Sequence, residues 1–276
     1  MKSKFIHSFF IALICSIGFV KAQTTETQPR DLFYDETAVK EREAIPYDYV
    51  SENDVYWHKR VWRLIDVKEK MNLPFSYEAL DWSNLTPLVK IMRDAALANE
   101  ITAYQEDNFQ QPLTVDVVKQ RGASIDTLPT YDLQTGEVIG DTIVQRPFDP
   151  NKVLHWRIKE DWFFNKKTSQ MQVRIMGIAP MYYDEEAKIE YPLFWVYYPS
   201  MRTILARNEA FNPKNDAQRT SWDDIFSMRL FTSVIIKESN VFDRRIQDYA
   251  TGVDALRESD RIKGEIFDYE HDLWSY

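Results

Sequence analysis

Apolar residues recur along the chain with two periods, one typical of helices and one typical of strands. The first helical stretch runs from Ser51 to Met71, where Ser51 and Asp54 form a capping-box pattern. Pro74 marks its end, because proline disfavours a helical residue before it. The apolar residues that share one face of this predicted helix are Trp57, Val61, Leu64, Ile65 and Met71.

Further helices are predicted by the same spacing. One runs from Pro87 to about Tyr104, with proline at its first turn. A short helix or bend covers Pro199 to Ala206, and a longer helix begins at Ser221, which forms a second capping box with Asp224, and extends to about Lys237. A helical turn is expected from Val241 to Tyr249, and a peripheral acidic helix with a tail from Gly252 to Tyr276.

The intervening stretches alternate with a period of two and predict strands. Leu113, Val115 and Val117 show this pattern, and Asp141 to Val144 resumes the apolar character. Three longer runs follow at Val153–Phe164, Met171–Ile178 and Ile189–Tyr198, with a hairpin turn at Asn165–Thr168 and a polar turn at Tyr183–Lys188. Strands joined by short loops form an antiparallel meander. We therefore predict an α+β fold, with an antiparallel sheet packed against several helices.

The chain divides into four predicted regions. Residues 1–22 have a basic start, an apolar run and a short-residue cleavage site, which is the pattern of a signal peptide. Their apolar run is too short to cross a bilayer, which takes roughly 20 residues. Residues 23–50 form a polar extended arm whose aromatic residues indicate docking on its own body or on a neighbour. Residues 51–250 form a single core domain, and residues 251–276 form the acidic C-terminal helix and tail.

Composition removes several classes of function. The chain has 34 basic and 43 acidic residues, and without residues 1–22 the balance is 31 to 43. An acidic chain without a basic stripe is a poor nucleic-acid binder, and there is no second long apolar run for a membrane span. The one cysteine, Cys15, lies in the signal, so the mature chain has no disulfide or thiolate metal site. A lipoprotein with an acylated Cys15 is the alternative, disfavoured by Ile14 and the early position.

No catalytic or cofactor motif emerges from the residues. The seven glycines do not cluster into a phosphate loop, and His58, His155 and His271 lack metal-ligand spacing. We therefore predict no cofactor and no metal. Adjacent acids such as Asp223–Asp224 and Glu185–Glu186 diverge in direction, whereas a glycosidase needs two facing carboxylates. Because tryptophan is abundant, a periplasmic cell-wall glycan-binding protein or glycosidase remains the alternative function.

A role in assembly, through surfaces that bind other proteins, is the favoured interpretation of the sequence. Aromatic residues make up 14% of the chain, and aromatic and arginine side chains commonly anchor interfaces. The basic face of the predicted first helix is either solvated or a contact for an acidic partner. The loop Phe211–Ala217 either shapes turns before Ser221 or contacts a partner, and Arg219 is placed to pair with Asp223 or Asp224. The candidate interface residues are Arg60, Arg63, Trp57, Trp62, Phe33, Tyr34, Asn212, Asn215 and Arg219.

Four stretches carry a resemblance to a known family. They are WHKRVWRLIDVKEKMNLPF from Trp57, YPLFWVYYPSMR from Tyr191, FNPKNDAQRTSWDDIF from Phe211 and KESNVFDRRI from Lys237. In this order they resemble the gliding-motility protein N family (GldN, also called PorN) of Bacteroidetes. The similarity covers the mature chain from about residue 30 to 250.

The resemblance implies a non-enzymatic subunit of the type IX secretion and gliding machinery. It implies a periplasmic ring beneath the outer membrane, built with a partner lipoprotein (the K component) and contacting the periplasmic part of the M component. The chain is then expected to form a homo-oligomeric ring within that complex and to reach the membrane only through the lipoprotein. The family supplies no catalytic residues to carry over.

Overall fold

The computed structural model describes residues 39, 41–76, 85–131, 138–185, 187–212, 215 and 218–274. These residues belong to one compact unit, Thr37–Tyr276. The predicted signal peptide and the candidate residues Phe33 and Tyr34 lie outside the described residues. None of the helices within the described ranges is long and apolar enough to cross a membrane.

A seven-stranded antiparallel sheet forms the centre of the molecule. Its strands are β1 (Val55–Asp66), β2 (Ala103–Tyr104), β5 (Val153–Asn165), β6 (Gln170–Asp184), β7 (Ile189–Pro192), β8 (Trp195–Tyr197) and β11 (Val234–Glu238). The order is β11-β1-β5-β6-β8-β2, and β7 also pairs with β6. The long strands β5 and β6 pair from Asn165↔Gln170 to Val153↔Tyr182, which confirms the predicted hairpin and meander.

Two smaller, two-stranded ribbons form no strand pairing with this sheet. The strands β3 (Ser124–Tyr131) and β4 (Val138–Arg146) pair with each other, as do β9 (Glu209–Ala210) and β10 (Thr220–Ser221). The predicted strand at Asp141–Val144 is therefore confirmed as part of β4.

Five α-helices are found among the described residues. They are α1 (Leu88–Leu97), α2 (Val115–Gln120), α3 (Tyr198–Arg207), α4 (Trp222–Ser227) and α5 (Val253–Trp274), with short 3-10 turns at Glu52–Asp54, Lys70–Ser76, Pro150–Lys152 and Ile246–Asp248. Helices α1, α3 and α5 confirm three predicted helices, although α1 ends earlier than expected. Sheet and helices together confirm the α+β class.

The prediction of a helix at Ser51–Met71 is wrong. Residues Val55–Asp66 form strand β1, in which Val61, Arg63 and Ile65 are buried at every second position. The β1 strand pairs with β5 on one side and with β11 on the other. β-branched and aromatic residues favour such a doubly paired strand, and this tertiary pairing outweighs the helical spacing. Ser51 makes no side-chain cap, in contrast to the predicted capping box.

Two other predicted elements have different structures. Residues Val115–Gln120 form helix α2 rather than a strand, with Val118 buried and Val115 and Val117 exposed. The predicted helix Ser221–Lys237 is two elements, because α4 ends at Ser227 and strand β11 begins at Val234. The apolar residues of that stretch are therefore divided between a helix and an edge strand.

Two hydrophobic clusters pack against the sheet. The larger contains Trp156 and Ile158 of β5, the inner face of α1, and Trp222 and Phe226 of α4. The smaller contains Val61, Ile235, Ile246, Ile262 and Ile266, so it joins β1 and β11 to α5. Apolar burial of this kind stabilises by roughly 25 cal/mol per Å². Helix α5 is thus held by its own small core.

Candidate functional site: buried charge networks and the arm cleft

A buried carboxylate pairs with two arginines at the centre of the sheet. Glu160 of β5 is completely buried, and its Oε2 lies 3.1 Å from Nε of Arg63. The guanidinium of Arg229 binds both carboxylate oxygens, at 2.9 and 3.3 Å. Trp162 Nε1 donates to the same carboxylate at 3.1 Å. A buried charge is tolerated only when it is paired and hydrogen-bonded, and this set meets that requirement.

The electrostatics of this cluster, Arg63–Glu160–Arg229, follow from its burial. Burial lowers the pKa of Arg63, while the negative charge of Glu160 acts in the opposite direction. Arg63 also donates to the hydroxyl of Ser233 at 3.2 Å. Arginine remains charged even when its pKa is lowered, so the attraction between Arg63 and Glu160 persists. The cluster therefore fixes β1, β5 and the segment before β11 relative to one another.

A second network lies at Trp62, Lys159 and Asp161, which neighbour one another in the register of β1 and β5. Arg60 binds Asp161 through two hydrogen bonds of 2.6 and 2.8 Å. Burial alone would raise the pKa of Asp161, but the Arg60 hydrogen bonds and charge bring it below its ordinary value. Bidentate pairs of this kind fix both direction and register.

Lys159 is the most enclosed cation of this network. It donates to the carbonyl of Asp107 at 2.6 Å and lies over the rings of Trp62 and Phe109. Trp62 Nε1 donates to the Asp107 carboxylate at 2.7 Å. Burial lowers the pKa of Lys159, against the raising effect of Asp107. The loop that contains Asp107 is thereby bound to the sheet.

Internal ion pairs engage three of the basic residues predicted for a helix face, Lys59, Arg60 and Arg63. Lys59 pairs with Glu238 at 2.7 Å and with Glu265 at 3.3 Å, and Arg60 and Arg63 are engaged as described. Trp57 stacks on Tyr269 of α5, with ring centroids 4.7 Å apart. Arg60, Arg63, Trp57 and Trp62 therefore join strands, loop and helix of this one chain.

The loop before α4 is arranged by side-chain and backbone hydrogen bonds. Asn212 donates to the carbonyl of Gln218 at 3.0 Å, and the carbonyl of Asn215 accepts from the Gln218 amide at 3.2 Å. Arg219 pairs with Glu209 at 3.1 Å, a partner that the sequence analysis did not name. The capping box of Ser221 and Asp224 is confirmed. Together these contacts set the start of α4.

Residues 41–50 lie in an irregular conformation against the body, beside a cleft of about 730 Å³. The carbonyl of Ile45 accepts a hydrogen bond of 2.6 Å from Arg202, whose guanidinium lies 4.1 Å from the ring centre of Tyr47. Arg174 lies over the same ring and donates to the carbonyl of Asp48. We name the space lined by these residues and by α3 and α4 the arm cleft.

A buried ion pair forms the floor of the arm cleft. Arg202 of α3 binds Asp223 of α4 through bonds of 2.9 and 3.0 Å, and Tyr198 donates to the same carboxylate at 3.2 Å. Burial raises the pKa of Tyr198 well above its ordinary value, and the nearby negative charge of Asp223 adds to this effect. Asp224 forms the capping box and also pairs with Arg42. Both acids of the adjacent pair Asp223–Asp224 are thus occupied in structural contacts.

The second pair of adjacent acids is only partly described. Glu185 pairs with Lys152 at 3.5 Å on the surface, and Glu186 lies outside the described residues. Within the described ranges no group of three or more histidine, cysteine or acidic side chains is placed to hold a metal ion.

Sequence reasoning missed the structural roles of Glu160 and Asp223, the two acidic residues that are buried among the described residues. Glu160 had a usable signal, since it is the one charged residue among the alternate positions Trp156, Ile158, Glu160 and Trp162 of β5. Asp223 was considered only as one of two adjacent acids and as a possible partner of Arg219. Its pairing with Arg202 joins two helices that are separate in sequence, and no local pattern shows that contact.

These observations define the class as an α+β protein with a central antiparallel sheet and paired charges between its layers. A comparison with protein-family models gives a match over residues 50–275 to the family described as gliding motility associated protein GldN. The chain belongs to this family, so the resemblance predicted from its motifs is confirmed. A comparison with curated proteins finds no match.

Proposed function

We propose that this chain is a non-enzymatic structural subunit of a periplasmic ring in the type IX secretion and gliding machinery. The observation that carries the proposal is the family match, which spans nearly all of the described residues. Membership in a gliding motility family supports a role as a component of that machinery. The ring, its periplasmic location and its partners are more specific than this role, and they are the further parts of the proposal.

The proposed partners are an outer-membrane lipoprotein, the K component, and the periplasmic part of the M component. Copies of the chain would form a homo-oligomeric ring within this complex, which requires heterologous contacts that close. The predicted signal peptide at residues 1–22 supports export to the periplasm. Association with the outer membrane would then come through the lipoprotein.

The internal ion pairs support a scaffold role. The Arg63–Glu160–Arg229 cluster and the Arg202–Asp223 pair connect the sheet to neighbouring segments and α3 to α4. Buried pairs of this kind contribute to a specific arrangement more than to net stability. A subunit that transmits contacts around a ring benefits from such fixed geometry.

Affinity purification of the tagged full-length chain from the envelope of its own host tests this proposal. We expect the K-component lipoprotein and the M component to co-purify, and deletion of the gene to abolish export by the type IX pathway. Re-expression of the wild-type chain should restore export. Normal export in the deletion strain, or purification of the chain without either partner, would contradict the proposed function.

A further inference from the structure

A cavity of about 360 Å³ lies where helix α5 meets the sheet. It is lined by residues of β1, β5, α5 and the segment before β11, and both arginines of the Arg63–Glu160–Arg229 cluster are among them. Cavities of this size hold small ligands in many proteins. We name this space the α5 cavity.

The charged side chains around the α5 cavity are mostly basic. Among the described residues, Arg63, Arg229 and Lys263 line it together with one acid, Glu270. Glu160 is completely buried and pairs with both arginines. Three positive charges therefore meet two negative charges, which leaves one positive charge in excess. An uncompensated charge in a partly buried site favours a bound ion of the opposite sign.

Arg63 retains hydrogen-bond donors beyond those that the described residues satisfy. Its guanidinium has several N–H groups, of which one donates to the hydroxyl of Ser233 at 3.2 Å. Its Nε is buried and makes no hydrogen bond with any described residue, although it lies 3.1 Å from the Glu160 carboxylate. Burial lowers the pKa of Arg63, Glu160 opposes this effect, and the positive charge of Arg229 adds to it. A second negative group would therefore stabilise this guanidinium.

Apolar side chains line the same cavity next to the charges. Phe231 and Ile266 are 7% and 4% exposed, and the more exposed Phe267 and the ring of Trp162 also line it. The guanidinium of Arg229 lies 5.3 Å from the ring centre of Phe231 and 5.4 Å from that of Trp162. Apolar walls with a few charged groups are the usual composition of a small-molecule site. The ligand that fits these walls has an apolar part as well as a charge.

We propose that the α5 cavity binds a small organic carboxylate that carries one negative charge and an apolar group. The carboxylate pairs with Arg63, Arg229 and Lys263, and the apolar group packs on Phe231 and Ile266. Guanidinium groups match the planar geometry of a carboxylate. The single excess positive charge favours a monoanion over a dianion such as phosphate, because a second negative charge would itself be uncompensated. Such a site is additional to the proposed function and does not depend on it.

Isothermal titration calorimetry of the purified full-length chain with phenylacetate and with octanoate tests this site. We expect at least one of these acids to bind saturably with a Kd of about 1 mM or lower, as ligands of this size permit. The acid that binds more tightly identifies the apolar group as a ring or as a chain. Phenylacetamide, which lacks the charge, and acetate, which lacks the apolar group, should each bind at least about tenfold more weakly.

Inorganic phosphate is the probe for an adventitious ion only. Binding of phosphate as tight as that of the better acid would reduce the site to a general attraction for anions and overturn the inference. Equal affinity for phenylacetamide, or no saturable binding of either acid, would also overturn it.

Two charge variants and a matched control locate the binding in the α5 cavity. Lys263→Glu turns the excess charge negative and should weaken binding at least about tenfold. Its fold should be retained, because Lys263 is exposed. Glu270→Gln removes the lining acid and should tighten binding about threefold. The control is Lys90→Glu, at an exposed lysine of α1 outside the cavity, and its affinity should remain that of the wild type.

A gain of affinity in Glu270→Gln cannot result from a damaged fold, so this variant tests the site even if Lys263→Glu is unstable. Unchanged or weaker binding in Glu270→Gln would overturn the inference. Wild-type affinity in a folded Lys263→Glu variant, or an equal loss in Lys90→Glu, would overturn it as well. Each of these results would leave the proposed function in place.

Discussion

Glu160 shows how one residue determines the arrangement of several segments. Its carboxylate is fully buried, yet it receives Arg63, Arg229 and Trp162. It lies in β5 between Ile158 of the larger hydrophobic cluster and Trp162, which packs on the smaller one. The charged contact of Glu160 with its partners therefore lies between the two hydrophobic clusters. Each charged member of this contact needs its partners, because it would otherwise be buried without compensation.

Replacement of Glu160 by glutamine should destabilise the fold strongly. The two arginines would lose their counter-charge, and Arg63 is only 6% exposed. Removal of one partner from a buried pair typically costs about 3–5 kcal/mol in free energy of unfolding. Urea denaturation followed by tryptophan fluorescence measures this loss.

The control for this prediction is Glu265→Gln. Glu265 pairs with Lys59 at 3.3 Å, but its side chain is 49% exposed, so the loss should stay below about 1 kcal/mol. A similar small loss in Glu160→Gln would show that the buried carboxylate is not needed for stability.

His155 makes the free energy of unfolding depend on pH. Its Nδ1 lies 2.6 Å from the carboxylate of Glu190 in β7, and this hydrogen bond is the main reason that its pKa lies above the ordinary value of 6.5. The stabilisation is complete below pH 6.5 and is lost as the pH rises through the higher pKa of the folded state. Stability should therefore decrease as the pH rises above about 6.5.

The matched variant for this prediction is His155→Gln. Its free energy of unfolding, measured by chemical denaturation at a series of pH values, should change less with pH over this range than that of the wild type. Equal slopes for the two proteins would exclude His155 as the source of the dependence.

At the scale of elements, β1 shows what could be predicted from the sequence and what could not. Its alternation is hidden because Arg63 occupies a buried position that a pattern search expects to be apolar. The partners that make this burial possible, the Glu160 carboxylate and the Ser233 hydroxyl, come from distant parts of the sequence. The spacing of Trp57, Val61 and Leu64 then fitted a helix by coincidence.

Elements whose stability is local were predicted more accurately. The capping box of Ser221, the amphipathic stripe of α1 and the β5–β6 hairpin each depend on residues close in sequence, and each is confirmed. The end of α4 was placed too late, since the apolar residues after Ser227 belong to a strand whose partner is β1. The fold class followed from the sequence, but the neighbours of β1 and the ion pairs did not.

Helix α5 contains a glycine that offers a direct test of its helical state. A methyl group on Gly264 would have no neighbouring atom within 4 Å among the described residues. Since glycine in a helix interior is less favourable than alanine, Gly264→Ala should stabilise the chain by about 0.5–1 kcal/mol. Thermal denaturation should show a higher Tm.

The contrasting variant is Gly177→Ala in β6. A methyl group there would lie 2.7 Å from Cζ of Phe109, so this ring and its loop would have to shift. Overpacking of this kind costs about 1–3 kcal/mol in free energy of unfolding, so Gly177→Ala should lower the Tm.

For Gly264→Ala, in contrast, a Tm below that of the wild type would contradict the position of α5.

At the scale of the whole molecule, the described surface combines paired charges with many exposed apolar side chains. The arm residues 41–50 lie on the body through Arg202 and Arg174, and Val241 and Phe242 are exposed after strand β11. We expect this chain to act through assembly with other proteins of the motility machinery.

Sedimentation velocity of the full-length chain co-expressed with the K-component lipoprotein tests the central claim most directly. We expect one fast-sedimenting species that contains many copies of both proteins, as a closed ring requires. Sedimentation of the chain as a monomer, separate from the lipoprotein at all concentrations, would contradict it.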